Sequence, residues 1–159
     1  MLATIAKKLS NFLIAIGATM LALMMFLTVV DVGLRYVFNR PLSGAFELVG
    51  YMMAIFVPFS IAYCGHKNEH ITVDLFMDRF SSKTRSIADI ITTFITLLFA
   101  IVIAWQNVLY FFEVKGSGLT SSVLLIPEYP FIAPTAIAFA TFALILFVHL
   151  IELFSEVTN

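Results

Sequence analysis

The chain has 159 residues, of which 61% are hydrophobic and 12% charged, with a formal net charge of −1. Soluble domains carry about 25% charged residues, so this composition excludes one and points to a membrane protein. The near-neutral charge offers nucleic acid no basic patch. Cys64 is the single cysteine, which excludes an internal disulfide and any paired-cysteine redox or zinc motif. No glycine-rich phosphate loop for ATP is present. The length suits a single membrane domain over residues 1–159.

Met1 to Ser10 is short and basic, with Lys7 and Lys8, and could open a signal peptide. Phe12 to Val30, however, is an uncharged stretch of 19 residues, longer than a signal core and lacking a small-x-small cleavage site. A retained transmembrane helix over about residues 11–35 is therefore expected. A charged corner follows, Asp31 to Leu48. Asp31 and Arg35 lie four apart and share a helical face. Asn39-Arg40-Pro41 ends the helix, because a residue before proline avoids the α region. Ser43 is positioned to cap the next helix, with Glu47 near its positive end. Two readings of this corner stand: an ordinary membrane exit with anchoring charges, or a contact with a partner.

The second span is expected over about 46–65 and is kinked by Pro58. Between it and the third span, Ile71, Leu75, Phe76 and Phe80 follow helical spacing among Asp74, Asp78 and Arg79. Either a short amphipathic helix over about 69–80 lies in the membrane interface, or a membrane helix extends into the cytoplasm. The third span covers about 87–112. The loop 113–128 contains Gly116-Ser117-Gly118 and then Leu124-Leu125-Ile126-Pro127, an apolar tripeptide that either dips back to the membrane or packs on a partner. The fourth span covers about 129–152, with Pro130 and Pro134 in its first turns, where early N–H groups lack partners anyway. The expected fold class is thus an all-α integral membrane protein of four transmembrane helices plus the short interfacial helix.

With the N-terminus inside, Lys7, Lys8, Lys67, Arg79, Lys83 and Arg85 fall on the cytoplasmic side, against Arg35, Arg40 and Lys115 opposite. This imbalance places both termini in the cytoplasm. The four spans hold no Asp, Glu, Lys or Arg near their centres, where an autonomous transporter would need them. His66, His70 and His149 do not form the paired membrane histidines of a haem bundle. What abounds is apolar bulk: 17 Phe and 7 Met, more than so small a bundle can bury, facing lipid or a second membrane protein. Gly17, Ala18, Ala22, Ala100 and Ala104 allow close helix approach, and an amide at Gln106 inside the third span wants a partner.

The run D-V-x-x-R-Y-x-F-N-x-P-L-x-G-x-x-E-L from Asp31 resembles the signature of the small membrane subunit of TRAP transporters, the tripartite ATP-independent periplasmic uptake systems. His70-Ile71-x-Val73-Asp74 and Leu124-x-Ile126-Pro127-x-Tyr129-Pro130 continue the resemblance, in order, over roughly residues 12–150. The resemblance implies a non-catalytic, multi-pass subunit of the bacterial inner membrane without cofactors. It implies a larger membrane subunit that holds the sodium and substrate sites and moves as an elevator against this fixed scaffold. It also implies a periplasmic binding protein delivering an acidic substrate, a C4-dicarboxylate or a sialic acid. Structural or interface candidates are Asp31, Arg35, Tyr36, Asn39, Pro41, Glu47, His70, Asp74 and Pro127. A competing reading is an assembly or anchoring subunit of an unrelated membrane complex.

Overall fold

The fold is described by a computed structural model over residues 2–67 and 82–158. It comprises four helices: α1 (Leu2–Phe38), α2 (Ala45–Lys67), α3 (Ser82–Ser117) and α4 (Tyr129–Thr158). Each contains a stretch long and apolar enough to cross a membrane, and the described residues form no strand beyond one isolated bridge. At 37 and 36 residues, α1 and α3 exceed the roughly 20 that a bilayer requires, so both project beyond the hydrocarbon. The interfacial helix expected over 69–80, with His70 and Asp74 in it, lies outside the described residues.

The helices do not close into a symmetric bundle. α2 and α4 form the centre; α1 lies on α2 and edges onto α4, and α3 lies on α4. Burial follows this order. A third of the most apolar window of α4 is buried (33%), against 22% for α2 and 11% for each of α1 and α3. The core is one cluster that includes Leu13, Phe59, Ala62, Leu97, Ala138 and Phe142. Much of the apolar bulk stays outside it, including Phe12, Met25, Phe26, Phe94 and Phe99.

Small residues decide where helices meet. A Cβ on Gly17 would stand 3.5 Å from Phe59 Cβ and 3.6 Å from the Phe56 ring, so α1 rests against α2 at ordinary contact distance there. On α3 the buried or half-buried positions Leu97, Ala100, Ala104, Asn107, Phe111 and Val114 alternate spacings of three and four, the seam of two helices packed at a shallow angle. Ala100 and Ala104 thus serve the close approach to α4, whereas Ala18 and Ala22, grouped with them on sequence grounds, are exposed. Phe111 meets Tyr129 edge to face at 5.9 Å between ring centres, and Tyr51 of α2 stacks on Phe131 of α4 at 4.2 Å.

One contact between α2 and α4 follows from a missing atom. Residue i of an α-helix donates its N–H to the carbonyl of i−4; Pro58 has no N–H, so the Ala54 carbonyl is left without its helical donor. Within a bilayer such a carbonyl needs a substitute. Thr135 of α4 supplies it, its hydroxyl donating to Ala54 O at 3.0 Å in preference to Phe131 O of its own helix at 3.3 Å. The proline therefore fixes which residue of α4 faces it.

Candidate functional site

The charged corner forms where α1 ends and α2 begins. Asn39 takes a positive φ of 50°, a conformation that asparagine tolerates better than most residues. The chain leaves the helix there, with Arg40 N–H reaching back to Leu34 O at 3.3 Å. Pro41 is exposed and prevents continuation. The next free amide, Leu42 N–H, donates to Asp31 Oδ1 at 2.7 Å. The other oxygen, Oδ2, accepts from Arg35 at 2.9 Å. Asp31 is thus 9% exposed with both oxygens engaged, and the expected i,i+4 pair forms on its outer side, where the Arg35 side chain remains 61% exposed.

The start of α2 departs from expectation. Ser43 is exposed and α2 begins at Ala45. Ala45 N–H bonds Leu42 O at 3.1 Å, with Gly44 at φ +84° and Ser43 not among the residues of positive φ. This is a type II turn, whose third position demands glycine. Turn geometry, not a serine cap, sets the entry to α2.

Glu47 pairs with neither Arg35 nor Asp31. Its Oε1 accepts from Val123 N–H at 2.9 Å and its Oε2 from Leu124 N–H at 3.0 Å, so the carboxylate holds the tip of the loop joining α3 to α4. That loop is itself a closed unit. Gly118, at φ +67°, ends α3 with its N–H on Val114 O. Ser121 N–H bonds Ile126 O at 2.9 Å and Glu128 N–H bonds Leu119 O at 3.2 Å. These two bonds flank the bridge between Thr120 and Pro127. Pro127 occupies the position of an antiparallel pair that makes no bond of its own, so its missing N–H costs nothing. Ile126 N–H goes to the buried Ser121 hydroxyl.

The apolar tripeptide does not face one way. Leu124 turns inward and covers Gly44, while Leu125, at φ 55°, points out and is 70% exposed. The corner also exposes Tyr36, Val37, Phe38 and Phe46, the tyrosine at 86% and Phe46 at 91%, together with Arg35 and Arg40. The structure therefore brings Asp31, Arg35, Asn39, Pro41, Glu47 and Pro127 into one corner, with the exposed Tyr36 on α1 just before it. His70 and Asp74 are outside the described residues. Val123 and Leu124 as partners of Glu47, and Thr135 as partner of Ala54, were not legible, since each contact joins residues more than seventy positions apart. The proline at 58 was the sole advance signal for the last of these.

No curated protein and no solved structure matches the chain. A family model does: that described as tripartite ATP-independent periplasmic transporters, DctQ component, over residues 24–156. The matched segment takes in the last part of α1 from Met24, the corner, α2, α3, the loop that closes on the corner and nearly all of α4. Four membrane-length helices, a corner built on the Asp31-to-Leu48 run and this match lead to one assignment: the chain belongs to the DctQ family, the small membrane component of TRAP transporters.

Proposed function

We propose that the chain is the fixed, non-catalytic scaffold of a sodium-driven uptake system for an acidic substrate, a C4-dicarboxylate or a sialic acid. In this reading the substrate and sodium sites lie in the larger membrane subunit, and a periplasmic binding protein delivers the substrate. The chain itself takes no cofactor. It is a single domain of the bacterial inner membrane with both termini in the cytoplasm, so the corner and the loop 118–128 face the periplasm.

The observation that supports a scaffold most directly is how the corner's polar groups are used. Both carboxylates, Asp31 and Glu47, accept hydrogen bonds from backbone amides of the chain itself, each clamping a loop. A carboxylate already bonded to two donors is occupied in holding structure. Two rigid loops on long, apolar helices suit a body against which another subunit moves.

Sodium-driven uptake into proteoliposomes with the binding protein present tests the function. The expected outcome is transport by both membrane chains together and none by this chain alone; uptake by this chain alone would refute the scaffold. Orientation is read separately. A cysteine at Ser117 is expected to label from the periplasm and one at Ser82 not to, and reversed labelling would overturn it.

A further inference from the structure

Gln106 presents a polar group to a place that lipid cannot serve. It lies within the α3 span, seven residues before Glu113, or about 10 Å of helical rise, and seventeen after Asp89. Its side chain is exposed and makes no hydrogen bond to any described residue. Other polar side chains of α3 turn back on their own helix: Thr92 to Ala88 O, Thr96 to Thr92 O at 2.7 Å, and Asn107 Nδ2 to Ile103 O at 2.8 Å. On the outward face of α1, Thr19 and Thr28 do likewise.

Headgroup water is not a natural partner for this amide. Helical side chains lean toward the helix N-terminus. For Gln106 that direction runs away from Glu113 and toward the middle of the span. An unpaired amide in hydrocarbon is costly, and acyl chains offer neither donor nor acceptor. Its own helix serves Thr92, Thr96 and Asn107 but not Gln106, and a second protein segment at that depth can supply both a donor and an acceptor.

The surroundings fit a second helix. Ile95, Phe99, Val102, Gln106 and Leu109 alternate spacings of four and three, the spacing of the seam that α3 already buries on α4. This second stripe is about half exposed or more along its apolar members. A polar residue inside an apolar stripe fixes the register of the helix that covers it.

We infer that this face of α3 is the surface on which the larger membrane subunit docks, through a helix whose hydrogen-bonding side chain or free carbonyl pairs with Gln106. The inference rests on the proposed function for the identity of the partner and adds which face meets it.

The test places a photo-crosslinking amino acid at position 106 in the intact complex, and in a second variant at Phe26, an exposed position on α1. The expected result is a crosslink from 106 to the larger membrane chain and none from 26. Gln106→Leu should also reduce the larger chain retained in detergent by about three- to tenfold, the scale of interhelical hydrogen bonds in membranes, while Phe26→Leu leaves it unchanged. A crosslink from 26 but not from 106 overturns the face while the partnership stands. A crosslink from 106 to a second copy of this chain, or to lipid alone, overturns the inference as well. If no larger chain co-purifies with the unaltered protein, it is the functional reading that fails.

Discussion

Replacing Gly44 by alanine tests whether the corner is one interlocked unit. Two separate costs arise. The first is conformational: at φ +84° a residue with a Cβ is disfavoured by about 1–2 kcal/mol. The second is steric: the new Cβ would stand 2.5, 2.6 and 2.9 Å from Leu124 Cγ, Cδ2 and Cδ1. No rotation of the leucine tip alone removes an overlap that includes Cγ, so the loop must shift. Overpacking of this kind costs about 1–3 kcal/mol. Together Gly44→Ala should destabilise by about 2–5 kcal/mol. Leu124→Ala removes the three overlapping atoms and leaves the backbone amide that Glu47 holds. In that background Gly44→Ala should cost only the conformational part, about 1–2 kcal/mol. The assay is unfolding of the purified protein in detergent for the wild type, both single variants and the double variant. A Gly44→Ala protein as stable as wild type, or a penalty undiminished by Leu124→Ala, would falsify the described packing.

Three further substitutions address the remaining contacts. Thr135→Val should cost about 0.6–1.7 kcal/mol in the wild type and close to nothing in a Pro58→Ala background, where residue 58 regains an N–H for Ala54 O; equal costs in both would sever the link between proline and threonine. Asp31→Asn keeps an acceptor for Leu42 N–H and loses an ion pair whose arginine is mostly in water, so it should cost no more than about 1 kcal/mol. Asp31→Ala strands that amide and should cost about 1–3 kcal/mol, and thermal stability that ranks the two the other way contradicts the assignment. Glu47→Ala should speed hydrogen exchange at the Val123 and Leu124 amides while Ser121 and Glu128, bonded within the loop, keep their protection; unchanged exchange at the first two would show that the clamp does not hold.

What could be read in advance was local. Uncharged runs long enough to span, the Asp31–Arg35 pair one turn apart, and the stop at Asn39-Arg40-Pro41 all depend on neighbours in sequence. The entry to α2 was misread because Ser43 and Gly44 stand side by side. Serine offers a cap and glycine a positive φ, and only the path of the chain decides which is used. Glu47 could be placed near the start of α2, but the Val123 and Leu124 amides that it holds could not be named. A carboxylate seeks donors, and opposite charges are visible in a sequence whereas backbone amides of a remote loop are not. Leu124 was equally opaque, because an apolar residue outside the spans says that it will be covered without saying by what. In Pro58 half of an interaction was legible, the orphaned carbonyl, and its partner was left to the packing.

The order in which the helices pack differs from the order in which they are made. Of the four helices α4 is made after the other three, and it stands at the centre, in contact with each of them. When α3 emerges from the ribosome, α1 and α2 can already rest on each other through Gly17, but the seam of α3 has nothing to meet until α4 is inserted. Assembly then resembles the docking of two hairpins, the second completed only by its own final strand of helix, with the Thr135 bond forming as they close. Before α4 is inserted, α3 has its Leu97–Val114 seam uncovered, with Asn107 held only by its own helix. α4 is in that sense the link between the parts: until it is in place the α1–α2 pair and α3 are separate passengers in the bilayer.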